Sequence, residues 1–587
     1  MKKSTTAPSR PNWRRSLLSL AVGAALFTPM TAMAVEFELK DGEVTGSLDT
    51  TVSYGALWSV TGKDKRLISG QKLGNRNSGN YDNGDVNYER GDLVSSIFRV
   101  SNDLDLNYKN FGAFFRVSSF YDHAIQNKDF NPLQADQRVI RNRLGHDYEI
   151  YDAYVRGKFN ILDKNVNVRV GKQVISLGES TFIPNGLNAL NPVDVAKLRT
   201  PGAELKEAFL PTQMLQVAFD ITDNMSVELI NKFQFRETRL EPNGSFFSTN
   251  DFLSPGGSKV LIGAGASPEQ PGAMNPVIPR GADKKAKDTG QYAVVLRLLA
   301  PSLNNTEFGL YAMNYHNTTP NVGGKTTSTP SMNPAANAAG STYYAKYVED
   351  VSLYGLSFNT LAPLGIALQG EYSYRPNQPL NLVANNTLAE LLSLGLAPLN
   401  TGVGTLNAGQ EVDGFKEVKM HQFQMTATQT LGRYFGADQI IGVGEIGYTY
   451  LDLPNGIDFN GTGVDFTTSP AGPAGVTSNL GIATKNSYGY RAAVRATYNN
   501  AIAGFNITPR VAFQHDLRGT SPTFSQNTQA VTIGITADYQ SNLSADLSYT
   551  NFFAGETVGA TTAGGFRSTN QALGDRDFIA ATVSYAF

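Results

Sequence analysis

The chain closes on DFIAATVSYAF, residues 577–587. Stepping back by twos from Phe587 gives Tyr585, Val583, Ala581 and Ile579, while the interleaved set holds Ser584 and Thr582. A period of two over a whole segment is the pattern of a β-strand with two unlike faces. Chain ends usually fray in water, yet here the final aromatic residue continues the alternation. The segment therefore predicts a strand that belongs to a sheet up to its last residue. An apolar face turned out and a Ser/Thr face turned in suit a barrel wall in lipid. The partner that would close the sheet is VTGSLDTTVSYGALW, residues 44–58.

The same alternation recurs along the chain. In the 44–58 segment Val44, Leu48, Val52, Tyr54 and Trp58 fall on one side. NVNVRVGKQV, 165–174, sets Val166, Val168, Val170 and Val174 against Asn167, Arg169 and Gln173. MLQVAFDIT, 214–222, sets Leu215, Val217, Phe219 and Ile221 against Gln216 and Asp220. GYRAAVRATY, 489–498, sets Tyr490, Ala492, Val494 and Tyr498 against Arg491, Arg495 and Thr497. Arginine on alternate strand positions is tolerable only where that face is wet.

Connections alternate in length. Short turns fall at 109–111, 160–165, 222–225, 300–305, 360–364, 431–438, 499–504 and 540–543. Between them lie long Gly-, Asn- and Pro-rich stretches such as 59–92, 178–210, 240–288, 376–415 and 453–484. These readings define an all-β fold: a transmembrane antiparallel β-barrel of about 18 strands, within a range of 14–18, with long external loops. Tyr108, Tyr448, Tyr450 and Tyr498 stand at strand ends, where aromatic girdles belong. A solenoid would need a fixed repeat, and none is present.

The start of the chain reads as a signal peptide over 1–34. Lys2, Lys3, Arg10, Arg14 and Arg15 precede the apolar run LLSLAVGAALF, and Ala32-x-Ala34 supplies a cleavage pattern. Residues 35–587 then form a single barrel domain, and the stretch 35–43 is too short for an N-terminal plug. The mature chain carries 44 Lys and Arg against 51 Asp and Glu, a balance of −7, which excludes a basic nucleic-acid footprint. Cysteine is absent, so no disulfide framework or thiolate metal site exists. The expected location is the outer membrane of a Gram-negative bacterium, in contact with lipid and lipopolysaccharide.

Motifs for chemistry are few. Gly442-x-Gly444-x-x-Gly447 matches a nucleotide fingerprint, but YTYLD follows where a helix would be needed, so these glycines belong to a strand. The five histidines, His123, His146, His316, His421 and His515, have no metal-ligand spacing. Asp122-His123 is the one pair that fits the rim His and acid of a barrel hydrolase, and lone His–Asp neighbours are more often loop hydrogen-bond partners. No catalytic, cofactor or metal residue is expected.

By parity, Arg116, Arg156, Arg169, Arg375, Arg491, Arg495, Arg510, Glu371 and Glu445 face the lumen, with Arg99, Arg236, Asp103, Asp152, Asp220, Glu228 and Asp546. They read either as a field that screens solutes or as ion pairs that satisfy a polar interior. The mixed signs predict a polar lumen without strong charge preference.

Residues 171–211 depart from the strand pattern. Asn191-Pro192 reads as a helix start, with Val193–Leu198 a short helix. Phe182, Ile183, Leu187, Leu190, Val193 and Val195 are too apolar for an exposed loop. The segment 178–210 is expected to fold inward as a constriction, bringing Glu179, Asp194, Arg199, Glu204 and Lys206 into the channel. The alternative is packing on the rim or on a neighbouring subunit.

GKQVISLGESTF (171–182), NALNPVDVAKLRTPGAELKEAFLP (188–211) and DITDNMSVE (220–228) resemble a proteobacterial outer-membrane barrel family, domain of unknown function thirteen-oh-two. The resemblance runs from TVSYGALWS (51–59) to the aromatic terminus, and its central stretch is the specific part. It implies a porin-like barrel encoded beside envelope exporters and lipid-handling proteins, with passage of apolar or amphipathic compounds. It supplies no catalytic residues.

The expected function is an outer-membrane channel for a small apolar or amphipathic molecule, with an envelope exporter as a possible partner. A general diffusion porin for hydrophilic solutes and an adhesin or structural barrel are the rivals. Ile579, Val583, Tyr585 and Phe587 resemble the terminal signal read by the outer-membrane assembly machinery.

Overall fold

The computed structural model describes residues 35–39, 42–68, 80–131, 135–261, 277–383, 406–461, 481–559 and 567–587. The segment 1–34, read above as a signal peptide, lies outside them.

Eighteen strands form one closed antiparallel sheet. In chain order they are β1 (Val44–Ser59), β2 (Leu93–Tyr108), β3 (Phe111–Asp122), β4 (His146–Ile161), β5 (Lys164–Gln173) and β6 (Thr212–Thr222). There follow β7 (Met225–Lys232), β8 (Gln291–Ala300), β9 (Thr306–Tyr315), β10 (Val351–Ala362), β11 (Ile366–Asn381) and β12 (Phe415–Leu431). The last six are β13 (Gln439–Asp452), β14 (Asn486–Ile502), β15 (Phe505–Arg518), β16 (Thr528–Tyr539), β17 (Leu543–Ala554) and β18 (Phe578–Ala586). Each strand pairs with its sequence neighbour, and β18 pairs with β1 from Phe578↔Ser59 to Ala586↔Thr51. Phe587 extends the closure: its N–H donates to Thr50 O at 2.9 Å, and Thr50 N–H returns to Phe587 O at 2.7 Å. Beyond that point the short strand Val35–Leu39 takes over the edge, pairing with Val44–Leu48. The eighteen-stranded wall is thus closed upon itself, as lipid requires.

The turns alternate as their composition dictates. At the β4–β5 hairpin only Leu162 and Asp163 separate the strands, both with positive φ (52° and 59°), the conformation whose twist matches a two-residue hairpin. The other ends carry the long connections, which pack on each other. Val322, Tyr343, Phe252 and Val412 share one buried cluster, and Tyr88, Phe130, Phe246 and Phe247 share another.

The outward face is apolar along the whole circumference. Tyr54, Phe98, Val155, Leu310, Ile446 and Val583 are all more than a third exposed. An exposed apolar band of this extent on a sheet closed upon itself is a lipid-facing surface. Tyr108 near the short turns and Tyr448 nearer the loops are likewise exposed. No helix among the described residues is long and apolar enough to cross a membrane; the strands do so.

The interior corrects one expectation. The lumen is not uniformly polar. On β6–β10 the inward residues Met214, Ile230, Val295, Tyr311, Met313 and Leu353 are buried and apolar. They form a core with Ile175, Leu177, Leu187 and Leu190 of the β5–β6 connection. Strands such as QYAVVLRLLA (291–300) are therefore apolar on both faces, one against lipid and one against the inserted chain.

Candidate functional site

The β5–β6 connection runs inside the barrel. Between Gly178 and Asn191 it has neither helix nor sheet, so its backbone groups need partners from elsewhere. The wall supplies them. Glu371 on β11 accepts N–H bonds from Glu179 at 2.5 Å and Ser180 at 3.0 Å through Oε2, and from Leu187 at 2.8 Å through Oε1. Glu445 on β13 accepts from Thr181 at 2.9 Å, Phe182 at 2.6 Å and Ile183 at 2.8 Å. Six N–H groups thus converge on two carboxylates.

Loop carbonyls are met from the same wall. Gln369 donates to Glu179 O at 2.7 Å, Gln422 to Pro184 O at 2.6 Å and Gln424 to Ile183 O at 3.0 Å. Arg375 donates to Gly186 O at 2.6 Å, and Lys232 to Leu190 O at 2.9 Å. Bonds to charged groups are each worth about 1.5–3 kcal/mol. Collectively they fix the loop without any secondary structure of its own.

Glycines in the wall make room for it. A Cβ on Gly355 would overlap Leu187, and one on Gly447 would lie 2.8 Å from Ile183. One on Gly55 would lie 2.7 Å from Pro201 Cβ. Gly447, part of the apparent nucleotide motif, is thus a seat for the loop. Gly444 of the same motif has nothing near it.

The second half of the loop departs from the expected helix over Val193–Leu198. Only Ala196–Leu198 forms a 3₁₀ turn, and a four-residue α-helix follows at Leu205–Ala208. Val193 and Asp194 are drawn into β-bridges with Phe209 and Arg239 instead, and Asp194 N–H donates to Ala208 O at 2.7 Å. Pairing with the returning chain outweighs the local Asn-Pro start signal.

The five residues expected at a constriction fall at different places. The Glu179 carboxylate accepts from Asn359 at 3.2 Å. Asp194 lies 3.6 Å from Arg239. Arg199 sits over the Phe247 ring at 5.0 Å. Lys206 bridges Glu204 at 2.8 Å and Asp103 of β2 at 3.2 Å. Two neighbours missed by the sequence reading are as deeply engaged: Glu207 pairs with Arg99, and Lys197 meets the Tyr151 hydroxyl.

The remaining wall charges mostly pair with each other. Arg116 bridges Asp103 at 2.7 Å and Asp152 at 3.0 Å. Arg156 pairs with Asp105, Arg491 with Asp516 and Arg510 with Asp546, at 2.6, 2.6 and 2.5 Å. Arg169 lies over the Tyr154 ring. Arg495 leaves its Nε without a partner. Arg236 is not on a strand; it follows β7 and pairs with Glu149 at 3.0 Å. On the loop side of Asp194 and Ala196 opens a vestibule of about 470 Å³, lined among others by Arg143, Asp147, Arg236, Arg239 and Lys285.

Asp122 is committed locally. It accepts from Ser95 Oγ at 2.5 Å and from the N–H groups of Ser96 and Ile125, capping the helix His123–Asn127, while His123 is exposed. Among the described residues no group of three or more His, Cys, Asp or Glu could hold a metal ion.

A closed, apolar-belted 18-stranded wall with a chain segment fastened across its bore defines an outer-membrane-type β-barrel of porin-like build. The chain belongs to the family described as "Protein of unknown function (DUF1302)", whose model matches residues 15–587. No curated protein matches the sequence at a significant level. Among solved structures it is similar to a BenF-like porin from Pseudomonas fluorescens Pf-5, at 10% identity over 92% of this chain and 98% of that one, with a TM-score of 0.40. Acinetobacter baumannii OccAB1 is similar at 10% identity over 95% and 99%, with a TM-score of 0.39.

Proposed function

We propose that the protein is an outer-membrane channel for a small apolar or amphipathic molecule, working with an envelope exporter or lipid-handling partner. The observation that carries this reading is the loop fastened across the bore by Glu371 and Glu445. A general diffusion porin needs an open, charged eyelet. Here the inner wall along β6–β10 is apolar and covered, and the wall arginines are largely neutralised by carboxylates. Hydrated ions gain little from such a path, whereas a molecule with apolar surface loses little by leaving water.

Planar-bilayer recording tests the reading. The wild-type barrel should give small, steady salt conductance, and deletion of 180–208 should increase it. A large wild-type conductance would favour a diffusion porin. Conductance unchanged by the deletion would favour an adhesin or structural barrel.

A further inference from the structure

Three of the long connections meet at one buried joint on the loop side of the barrel. The β1–β2 connection brings Asp82 and Asp85, the β7–β8 connection Asp251, and the β17–β18 connection Asp575 and Arg576. Each of the four carboxyl groups belongs to a residue no more than 5% exposed, and Arg576 is 2% exposed. Backbone and amide contacts hold the first two pieces together. Asp251 N–H donates to Asn80 O at 2.9 Å, and Asp251 Oδ2 accepts from Asn83 N–H at 3.2 Å. Asn83 Nδ2 donates to Asn243 Oδ1 at 2.9 Å, and Asn80 exchanges two hydrogen bonds with Leu261. Gly84 fits because it has no side chain: a Cβ there would lie 2.7 Å from Ser245 O and 2.8 Å from Ser248 O.

Arg576 carries the positive charge of the joint. Its Nη2 lies 2.5 Å from Asp85 Oδ1, and its Nη1 lies 2.7 Å from Asp575 Oδ1. Asp85 and Asp575 are also within hydrogen-bonding reach of each other, a contact that two carboxyl groups make only with a proton between them. Asp251 stands beside Asp82. Asp251 Oδ1 and Asn83 Oδ1 are buried acceptors without a donor among the described residues. The groups around the joint do not balance it. Arg66, which faces Asp575 from the chain after β1, pairs with Asp64 at 2.6 Å, and Asp64 N–H donates to Asp575 Oδ2 at 2.9 Å. Tyr88 faces Arg576 with a neutral phenol. Asp577 is taken up by Thr61, Asn551 and Phe552. Four carboxylates against one guanidinium cannot all stay ionised out of water.

We propose that this joint is a proton-held clasp on the outer connections. Protons shared between Asp85 and Asp575, and between Asp82 and Asp251, keep the three connections together; when they leave, repulsion among the carboxylates parts them. The β7–β8 connection also lines the vestibule through Arg239, Leu240 and Pro242, so parting the clasp alters the entrance to the bore. This names a regulation of the channel proposed above and rests on that reading for its effect on transport, though the clasp itself does not.

The sign follows from burial. It pushes the Asp85 carboxyl well above its usual range against the pull of Arg576, and it pushes Asp251 up with Asp82 adding to the rise. Acids of this kind bind their protons more tightly in the closed state. Their contribution is complete below the ordinary carboxylate range and is lost as pH rises through the closed-state values.

The test is amide hydrogen exchange of the full barrel in lipid nanodiscs from about pH 5 to about pH 9, each rate divided by that of an unstructured peptide at the same pH. Protection of residues 80–86 and 571–577 should fall as pH rises, by up to about tenfold per pH unit for each proton released. Protection of β14 and β15 should stay level. Asp251→Asn and Asp85→Asn mimic the protonated acid, so each should keep the protection seen at the acid end and make the fall shallower. Heat-modifiable electrophoretic mobility identifies folded variants, and the wild-type profile tests the clasp on its own if neither variant assembles. Glu241, which acts on Arg199 and Ser245, should not matter at these two stretches, so the fall should survive Glu241→Gln. Protection that is level or rises with pH, a fall unchanged in both folded Asn variants, or a fall abolished by Glu241→Gln would overturn the proposal. So would recovery of protection at the alkaline end on adding calcium chloride, which would assign the carboxylates to a metal ion. A pH-dependent clasp in a barrel that conducts nothing at any pH would leave the clasp standing and overturn the channel reading instead.

Discussion

Glu371 and Leu187 are 184 residues apart in sequence, yet Glu371 Oε1 accepts the Leu187 N–H at 2.8 Å in the middle of the bore. The same side chain of Leu187 is fully buried against the wall, over Gly355. One loop residue is thus held by its backbone through a carboxylate and by its side chain through a glycine seat. Glu445 repeats the carboxylate contact one segment earlier, at Thr181, Phe182 and Ile183.

The glycine seat gives a steric test. In Gly355→Val the added side chain would collide with Leu187, and its Cβ would also lie 3.1 Å from Tyr372 O. Overpacking of this kind costs about 1–3 kcal/mol. The barrel should still form, since Gly355 keeps its place in the β9–β10–β11 ladder. Protease cleavage within 178–210 in the reconstituted protein should become measurable; continued protection would mean that the loop does not rest on this seat.

A covalent test is available because the chain has no cysteine. Gly55→Cys with Pro201→Cys places the new side chains where a glycine Cβ would lie 2.7 Å from Pro201 Cβ. A disulfide needs about 3.5–4.5 Å between Cβ atoms, so the loop must ease away by about 1 Å. Oxidation should yield a crosslinked monomer with altered mobility on non-reducing gels. Only intermolecular dimers, or none, would place Pro201 elsewhere.

Loop packing should depend on pH through Glu241, which lies in the long segment after β7. Burial pushes its carboxyl up to about 7, against the pull of Arg199 and with Asp194 adding to the rise. Ser245 Oγ is 3.3 Å from Oε2. An acid whose folded value exceeds its unfolded one binds its proton more tightly when folded, so the contribution is present below the ordinary carboxylate range and lost as pH rises through 7. Protease protection of this segment should therefore fall between pH 5 and pH 8, by at most about 3 kcal/mol of local stability. Glu241→Gln should flatten the dependence; a variant as pH-sensitive as wild type would assign the effect to another group.

Much of the wall was legible in sequence, because period two is a direct consequence of strand geometry. DFIAATVSYAF gave its outward set correctly: Ile579, Val583, Tyr585 and Phe587 are exposed. Turn lengths carried the strand count. The interior was harder to read. Ala293 and Val295 look like ordinary strand residues until the loop that covers them is known, although an apolar inner and outer face on one strand was a usable signal. Glu371 and Glu445 looked like ion-pair formers, since backbone N–H donors leave no side-chain signature. The helix expected at Val193–Leu198 failed because the strand-like pairing of Val193 with Phe209 is non-local.

The central relationship is the grip of two carboxylates on the loop, and single-channel conductance of Glu371→Ala combined with Glu445→Ala tests it most directly. Six N–H groups would lose their acceptors, each loss costing on the order of 1–3 kcal/mol where the donor stays buried. The loop should leave the wall for part of the time. The double variant is expected to show larger and noisier conductance than wild type, with unchanged heat-modifiable mobility. A folded double variant with wild-type conductance and no added noise would contradict the carboxylate grip as the feature that sets the bore.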